Sequence, residues 1–316
     1  MRSVILGDGE PVLAFDVGGT DIKATLVDKA GVLHSIVRAP APTSDDGTAD
    51  AVLARIGRLA DGLRASFPEV VPTAAGLIVP GLVDEEAGLG VFSENLGWRN
   101  APLRDRAEQI LGLPVSFGHD VRGAGEAEFR LGAAAGYRNA MVLVIGTGIA
   151  AAIFIDGRAY SAGGHAGEIG HSLIASDGPL CACGRHGCLE AMASAAAIAR
   201  EYSRVSGTPV DGAKEVLERA HSGDALAQKV WADAIEALAL GLAQSVAILA
   251  PEAIIIGGGL AAAGDALFSP LASRLDAILS FHPRPRLIPA RIGQDAGLIG
   301  AALRARALAA PVRITP

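Results

Sequence analysis

The hydrophobic pattern of the first 131 residues predicts short buried strands separated by amphipathic helices. Apolar runs predict strands at 12–15, 22–27, 32–37, 74–79 and 115–117. Apolar residues at helical spacing predict helices at 48–67, 102–111 and 121–131. Turn-forming residues predict loops at 39–47 and 93–98. Because short turns join the first three strands, the chain is expected to open with an antiparallel meander.

The second half of the chain repeats this alternation and then becomes mainly helical. Strands are predicted at 141–145, 149–155 and 253–256, and helices at 194–206, 213–222, 225–250, 266–279 and 298–309. The helix at 225–250 is apolar nearly all round from residue 235, which predicts burial in the core or at a subunit contact. Pro251 ends this helix.

Two hairpins share one pattern of residues. FDVGGTDIKATLVDKAG begins at Phe15, and LVIGTGIAAAIFIDG begins at Leu143. Each has an apolar strand, a Gly-Thr turn, a second apolar strand and a turn containing Asp and Gly. An internal repeat of this kind indicates a duplicated architecture. Two such turns, each offering backbone amides to a phosphate, are expected to bracket a nucleotide.

Composition and charge narrow the class of protein. Of the 316 residues, 50% are apolar and 19% are charged, which favours one large or two ordinary folded domains over a disordered chain. The net charge of −7 and the lack of a basic stripe argue against nucleic-acid binding. No secretory signal is evident, and the apolar runs near 141–155 and 237–250 are too short or interrupted to span a bilayer. We expect a soluble cytoplasmic protein without nucleic-acid or membrane partners.

Three glycine turns are candidates for nucleotide binding. Backbone amides at Gly18 and Gly19, with the Thr20 hydroxyl, suit a phosphate, and Asp16 suits Mg²⁺ held through water. Lys23 is expected to face the same turn. The other two turns are Gly146-Thr147-Gly148 and Gly257-Gly258-Gly259, the latter open enough for a flat ligand such as adenine. Taken singly, each is equally compatible with a plain hairpin or a strand–helix turn.

All three cysteines lie in one stretch that also holds three histidines. Cys181, Cys183 and Cys188 are grouped tightly enough for a tetrahedral zinc ion, with His165, His171 and His186 as candidates for the fourth ligand. A structural zinc would pin the loops that carry Glu168 and Glu190, whose carboxylates suit sugar hydroxyls. The alternatives are free buried thiols or, because the cysteine count is odd, a less expected disulfide.

Two further positions are candidates for substrate chemistry. Asp120 follows a predicted strand and precedes a helix, where it could act as a general base in phosphoryl transfer or simply cap the helix. Asn95 offers a donor and an acceptor to a sugar hydroxyl, or forms a turn.

The assembled motifs resemble those of the ROK family, whose members are sugar kinases and sugar-responsive repressors. DVGGT and IGTG resemble its two phosphate motifs, IIGGG its adenosine motif, and HAGEIGH with CACGRHGCLE its signature and zinc motif. The resemblance covers essentially the whole chain. It implies an α/β, duplicated ribonuclease-H-like (actin-like ATPase) fold with two lobes around a central cleft. The smaller lobe is expected at 1–117 with the helix 298–316, and the larger lobe, with the zinc and adenosine motifs, at 118–297.

The resemblance also implies roles for single residues. Asp120 matches the catalytic base, and His171 joins the three cysteines as the zinc set. Residues matched to the sugar site are Gly81, Asn95, His119, Asp120, Glu168, His171 and Glu190. The family commonly has Asn at the position of His119, and that Asn also contacts the sugar. The difference is expected to affect which sugar hydroxyls the site prefers.

The implied activity is ATP- and Mg²⁺-dependent phosphorylation of a hexose, with glucose at the 6-OH first and N-acetylmannosamine, fructose or mannose as alternatives. A sugar-binding regulatory protein without turnover is a further alternative. A repressor is less expected, because only fifteen residues precede Asp16 and a helix-turn-helix domain needs more. The family implies a homodimer or homotetramer.

Overall fold

A computed structural model of the chain describes residues 6–42, 49–93 and 96–310. Thirteen strands lie in these described ranges: β1 Val12–Val17, β2 Asp21–Val27, β3 Leu33–Pro40, β4 Ala74–Val79, β5 Leu82–Asp84, β6 Leu89–Ser93, β7 Trp98–Ala101, β8 Val115–His119, β9 Ala140–Ile145, β10 Ile149–Ile155, β11 Arg158–Tyr160, β12 Ala253–Gly257 and β13 Arg286–Pro289. The α-helices of the same ranges are α1 Ala49–Ser66, α2 Leu103–Leu111, α3 Asp120–Leu131, α4 Leu189–Ala193, α5 Ala195–Ser206, α6 Ala213–His221, α7 Ala225–Leu249, α8 Asp265–Ile278 and α9 Ala296–Ala309.

The chain divides into two compact units. The first comprises Met1–Leu131, Ser161–His165 and Gln294–Pro316, and the second comprises Gly132–Tyr160 and Ala166–Gly293. This division differs from the predicted boundary at 117/118, because α3 packs against α9 and therefore belongs to the first unit. The last residues of the predicted helix 298–316, from 311 onward, lie outside the described residues.

The first unit is built on a five-stranded sheet in the order β3-β2-β1-β4-β8. Strands β1, β2 and β3 are antiparallel neighbours, whereas β4 lies parallel to both β1 and β8. Side chains of β1 alternate between two cores, as the period of a strand requires. Phe15 points to the core made with α1 and α2, and Ala14 points to the core made with α9. Helices therefore cover both faces of this sheet.

The second unit repeats the same topology in the order β11-β10-β9-β12-β13. Strands β9, β10 and β11 are antiparallel neighbours, and β12 lies parallel to β9 and β13. Five strands with the same order and directions in both units confirm the duplicated ribonuclease-H-like fold that the repeated hairpins indicated. Apolar residues of this sheet pack with those of α5, α6, α7 and α8 in one large core.

Helix α7 is long and apolar enough, by length and composition alone, to cross a membrane, since an 18-residue window has a mean hydropathy of 1.5. This helix is longer than the apolar run at 237–250, which was predicted to be too short or interrupted to span a bilayer. Its apolar face is used inside the second unit, where Trp231, Leu238 and Leu242 are buried. Packing of the core therefore accounts for its composition.

A small sheet in the first unit was missed by the sequence prediction. Strands β5, β6 and β7 pair antiparallel around the segment that was expected to be a loop. They have three to five residues each, and exposed positions interrupt the apolar pattern, so no strand period is visible. The five-residue helix α4 and the largely exposed strand β13 were missed for the same reason.

Candidate active site

The DVGGT turn joins β1 to β2 in the first unit. Asp16 lies opposite Lys23 across these strands, and the Lys23 ammonium lies 3.4 Å from Asp16 Oδ2 while donating to the Gln294 carbonyl. Lys23 therefore faces Asp16, as predicted. The N–H of Gly18 donates to the Asp21 carbonyl at 2.8 Å, which closes the turn. Gly19 and Thr20 are exposed at its tip, where they are accessible to a ligand.

The surroundings of Asp16 raise the pKa of its carboxyl to about 6, because burial disfavours the charged form more strongly than Lys23 favours it. Gly297, in the first turn of α9, lies against this carboxylate. A methyl group at residue 297 would lie 2.7 Å from Asp16 Oδ2. This contact could not be predicted from the sequence, because Gly297 is 281 positions away and resembles any other helical glycine.

Asp120 stands at the end of β8, where helix α3 begins. Its Oδ1 accepts the N–H of Val121 at 2.6 Å, one residue ahead, whereas a helix cap bonds two or three residues ahead. Burial raises the pKa of Asp120 to about 6, and the Val121 N–H and Arg122 oppose this increase. Asp16 and Asp120 are close enough for the charge of Asp120 to raise the pKa of Asp16. The first unit thus brings the candidate magnesium carboxylate and the candidate base together.

His119 is buried beside Asp120. Its Nδ1 lies 3.2 Å from Asp120 Oδ1 and also 3.2 Å from the Val121 nitrogen, which donates to it. His119 therefore places an imidazole against the candidate base, where the Asn typical of the family would place an amide.

Gly81 and Asn95 were predicted to line the sugar pocket. Gly81 is exposed, and its backbone lies against Phe92 and Ser93 at the end of β6. Asn95 lies outside the described residues, so its predicted role stays a prediction.

The second glycine turn joins β9 to β10 in the second unit. The N–H of Gly146 donates to the Gly148 carbonyl at 2.9 Å, and Thr147 is exposed at the tip. Glu190, on α4, accepts the N–H of Ile149 through Oε2 at 2.8 Å. Glu190, which was predicted to bind sugar, is thus also hydrogen-bonded to the strand that follows the predicted phosphate turn.

The adenosine motif follows β12 in the second unit. Gly258 has a φ of +81°, and a Cβ there would collide with the backbone of Ile145. Only glycine permits both the conformation and the approach. The motif therefore lies directly beside the strand that ends in the second glycine turn, and both predicted nucleotide motifs of this unit share one sheet edge.

The HAGEIGH segment lies along β10. The Gly167 carbonyl accepts the N–H of Ala151 at 2.8 Å, and the Glu168 carbonyl accepts the N–H of His171 at 3.0 Å in a short turn. A Cβ on Gly170 would lie 3.3 Å from the Cβ of Glu190. The segment that carries Glu168 and His171 is therefore held next to Glu190.

Three thiols and one imidazole converge at the end of this segment. The ligand atoms of His171, Cys181, Cys183 and Cys188 all lie within 4.8 Å of one another, with Cys181 Sγ 3.7 Å from His171 Nδ1 and Cys183 Sγ 3.5 Å from Cys188 Sγ. Tetrahedral zinc with thiolate bonds of about 2.3 Å separates its ligand atoms by about 3.7 Å. The donor set and spacing fit zinc.

The other two candidate histidines lie elsewhere. His186 is exposed and its Nδ1 contacts the Gly178 carbonyl at 2.9 Å, and His165 belongs to the segment grouped with the first unit. The structure thus brings His171 to the thiols.

The thiols differ in acidity. A backbone hydrogen bond from Arg185 lowers the pKa of Cys183 to about 7. Burial raises the pKa of Cys188 to about 12 and also raises that of Cys181. The two buried thiols therefore need a cation beside them to ionise at neutral pH, which agrees with the metal assignment.

The duplicated sheet, with a glycine turn after the first strand of each unit, defines an actin-like ATPase fold. The model of the ROK family matches residues 12–307. The chain belongs to the ROK family, as its motifs predicted.

Individual relatives agree with this assignment. The chain is 33% identical to a glucokinase of Streptomyces coelicolor, over 93% of this chain and 97% of that protein. It is also 33% identical to an N-acetylmannosamine kinase of Salmonella typhi, over 93% and 98% of the two chains. The crystal structure of a ROK family glucokinase from Streptomyces griseus, in complex with glucose and AMPPNP, superposes with a TM-score of 0.79 at 30% identity, covering 94% of this chain and 99% of that one.

Proposed function

We propose that this chain is an ATP-dependent hexose kinase that phosphorylates glucose at the 6-OH. Asp120 carries the proposal: a carboxyl with a pKa of about 6 lies at a strand end, in the same unit as Asp16 and the DVGGT turn. A base of this pKa is ionised at neutral pH and retains more proton affinity than an ordinary aspartate. Glucokinases among the relatives supply the substrate class.

In the proposed reaction, Asp120 accepts the proton of the sugar hydroxyl as its oxygen attacks the γ-phosphorus of ATP. The new sugar O–P bond forms while the bond from phosphorus to the β–γ bridging oxygen breaks, and ADP leaves. The two glycine turns, at residues 18–20 and 146–148, hold the phosphates in line. Asp16 would hold Mg²⁺ through water, and the ion, bound with ATP, would supply positive charge to the phosphates.

Sugar recognition is assigned to Glu168, Glu190 and His171, with His119 and Asn95 completing the set. Carboxylates that hydrogen-bond the ring hydroxyls also reject a wrong epimer. Such a sugar lacks a hydroxyl in the right position, so the carboxylate would lose its hydrogen-bond partner. The adenine is assigned to Gly257, Gly258 and Gly259. Zinc held by His171, Cys181, Cys183 and Cys188 would have a structural role, fixing the segment between Glu168 and Glu190, since four protein ligands leave no open position.

The test is ADP release from ATP over a panel of glucose, mannose, fructose and N-acetylmannosamine, with the product identified by NMR. We expect the highest kcat/KM for glucose, with the phosphate at the 6-OH. Absence of ADP release with every sugar would contradict the kinase assignment and favour a sugar-binding protein without turnover.

N-acetylmannosamine is the second candidate substrate. One observation favours it: a relative named N-acetylmannosamine kinase is as similar to this chain as the glucokinase is. A kcat/KM higher for N-acetylmannosamine than for glucose would replace the first assignment.

Two further proposals accompany the activity. Thiols that bind zinc and a site for ATP suit the reducing cytoplasm, which fractionation with an antibody would test. A homodimer or homotetramer is expected from the family, and light scattering after gel filtration would measure it.

A further inference from the structure

The carboxylate of Glu85 is bonded to three donors from three different elements. It lies just after β5 in the first unit. Glu85 Oε1 accepts the backbone N–H of His119 at 3.1 Å and Arg122 Nε at 2.7 Å, and Oε2 accepts Arg304 Nη1 at 3.1 Å. One acidic side chain therefore ties the end of β8 to the start of α3 and to α9.

These bonds keep Glu85 ionised. Burial by itself would raise its pKa, but the charges of Arg304 and Arg122 and their hydrogen bonds lower the pKa below the ordinary value. A charged acceptor makes shorter and stronger hydrogen bonds than a neutral one. The bond to the His119 N–H thus adds a restraint to the backbone that presents Asp120.

Arg122 extends the same connection to a second segment. Its side chain is buried, and Nη1 donates to the Gly164 carbonyl at 3.1 Å. Gly164 packs against the backbone of Val83, so the segment is held on this unit from both sides. Glu168, assigned to the sugar, follows only four residues later in the chain.

We propose that Glu85 and Arg122 are positioning residues for phosphoryl transfer. Glu85 fixes the backbone at His119 and therefore the direction of the Asp120 carboxylate, and Arg122 anchors the segment that leads to Glu168. This inference rests on the proposed kinase function of Asp120. Neither residue needs to touch a substrate, and no sequence motif pointed to them.

Displacement of a catalytic group by about 1 Å is enough to slow a reaction about 100-fold. Loosening the strand end impairs proton transfer in the transition state more than it impairs ground-state binding of sugar. The expected signature is therefore a loss in kcat with little change in KM.

The test compares Glu85→Gln with Glu126→Gln by steady-state kinetics with glucose and ATP. Glu126 also pairs with Arg304, at 3.0 Å, but the pair does not involve His119. We expect Glu85→Gln to lower kcat about 10- to 100-fold with the KM for glucose within about threefold, and Glu126→Gln to leave both near wild type. Equal kinetic effects in the two variants, or a wild-type kcat in Glu85→Gln, would overturn the inference.

A double variant, Glu85→Gln with Arg122→Gln, separates positioning from folding, because it removes the buried charge that Glu85→Gln leaves unpaired. We expect its melting temperature to recover toward wild type while kcat stays low. Recovery of kcat together with stability would show that only folding was affected. An inactive wild type over the whole sugar panel would instead refute the proposed function, so the two failures are distinguishable.

Discussion

At the scale of single residues, the carboxyls of Asp16 and Asp120 both have a raised pKa, but different groups surround them. Asp16 is buried beside the Lys23 ammonium, and the charge of Asp120 adds to the effect of burial. Asp120 is buried beside a backbone N–H and Arg122, both of which favour its charged form. Both carboxyls therefore change protonation near pH 6, within the pH range in which kinetics can be measured.

This predicts that kcat/KM falls below about pH 6. Asp120 must be deprotonated to accept a proton, so its protonation should lower kcat/KM by about tenfold for each pH unit on the acid side. The stability of the fold is expected to change with pH in the opposite direction to the activity. A raised pKa in the folded state means that the stability contributed by these two carboxyls is complete below their unfolded pKa and is lost as pH rises through about 6.

Activity and melting temperature measured together from pH 5 to pH 8 check this prediction. Loss of activity at pH 5 without unfolding agrees with it. A kcat/KM that is constant down to pH 5 would contradict the role of Asp120 as the base.

Gly297 is predicted to be required for the shape of the site around Asp16. Gly297→Ala places a methyl group 2.7 Å from Asp16 Oδ2, so the carboxylate or the helix must move. We expect kcat/KM for MgATP to fall at least about tenfold, because a carboxylate moved by part of an ångström no longer holds Mg²⁺ correctly.

The matched control is Gly62→Ala in α1, where a methyl group meets no other atom within 4 Å. It should raise stability by about 0.5–1 kcal/mol, as alanine does in a helix interior, without changing kinetics. Equal kinetics for both variants would show that space at Gly297 is not needed.

At the scale of elements, the sequence was most informative where a segment is long or fully buried. Strands β4 and β10 match their predicted limits, and α7 differs by one residue, because their apolar residues leave a clear period or an unbroken run. Strands β5 to β7 could not be predicted, since they are short and partly exposed. The clustered cysteines predicted three of the candidate metal ligands. Their spacing left three histidines open as the fourth, and only the resemblance to the family named His171, which the fold does bring to the thiols.

Replacement of His171, one of the four candidate zinc ligands, is predicted to lower the zinc content of the protein. His171→Ala removes one ligand of four, and mass spectrometry should show zinc falling from about one atom per chain toward none. His186→Ala is the control, since His186 contacts the Gly178 carbonyl outside the cluster. Stability should fall only in His171→Ala, by roughly 2–4 °C in Tm for each kcal/mol lost. Full zinc content in His171→Ala would refute the ligand assignment.

At the scale of the whole molecule, the chain is two copies of one topology that carry different chemistry. The first unit holds the candidate base and the first candidate phosphate turn, and the second holds the second such turn, the adenosine motif and the candidate zinc ligands. The repeated hairpins made the duplication predictable. The membership of α3 and of the segment Ser161–His165 in the first unit was not predictable. It depends on contacts between distant residues, such as that of Arg304 with Glu126, 178 residues apart, and that of Arg122 with Gly164.

Removal of zinc is predicted to loosen the second unit alone. Cys188 immediately precedes α4, whose Leu189 is buried in the core of that unit. A chelator should therefore increase amide hydrogen exchange at 166–193 and in the neighbouring part of this core, while β1 and β4 stay protected. Equal loss of protection in both units would contradict a local role of the metal.

The most direct test of the central claim is Asp120→Asn, which keeps the shape of the side chain and removes the base. ADP release with glucose and ATP should fall about 10²- to 10⁴-fold, while glucose binding measured by calorimetry stays within a few-fold of wild type. A variant that binds glucose and releases ADP at a rate near wild type would show that Asp120 is not the base, and the proposed mechanism would be wrong.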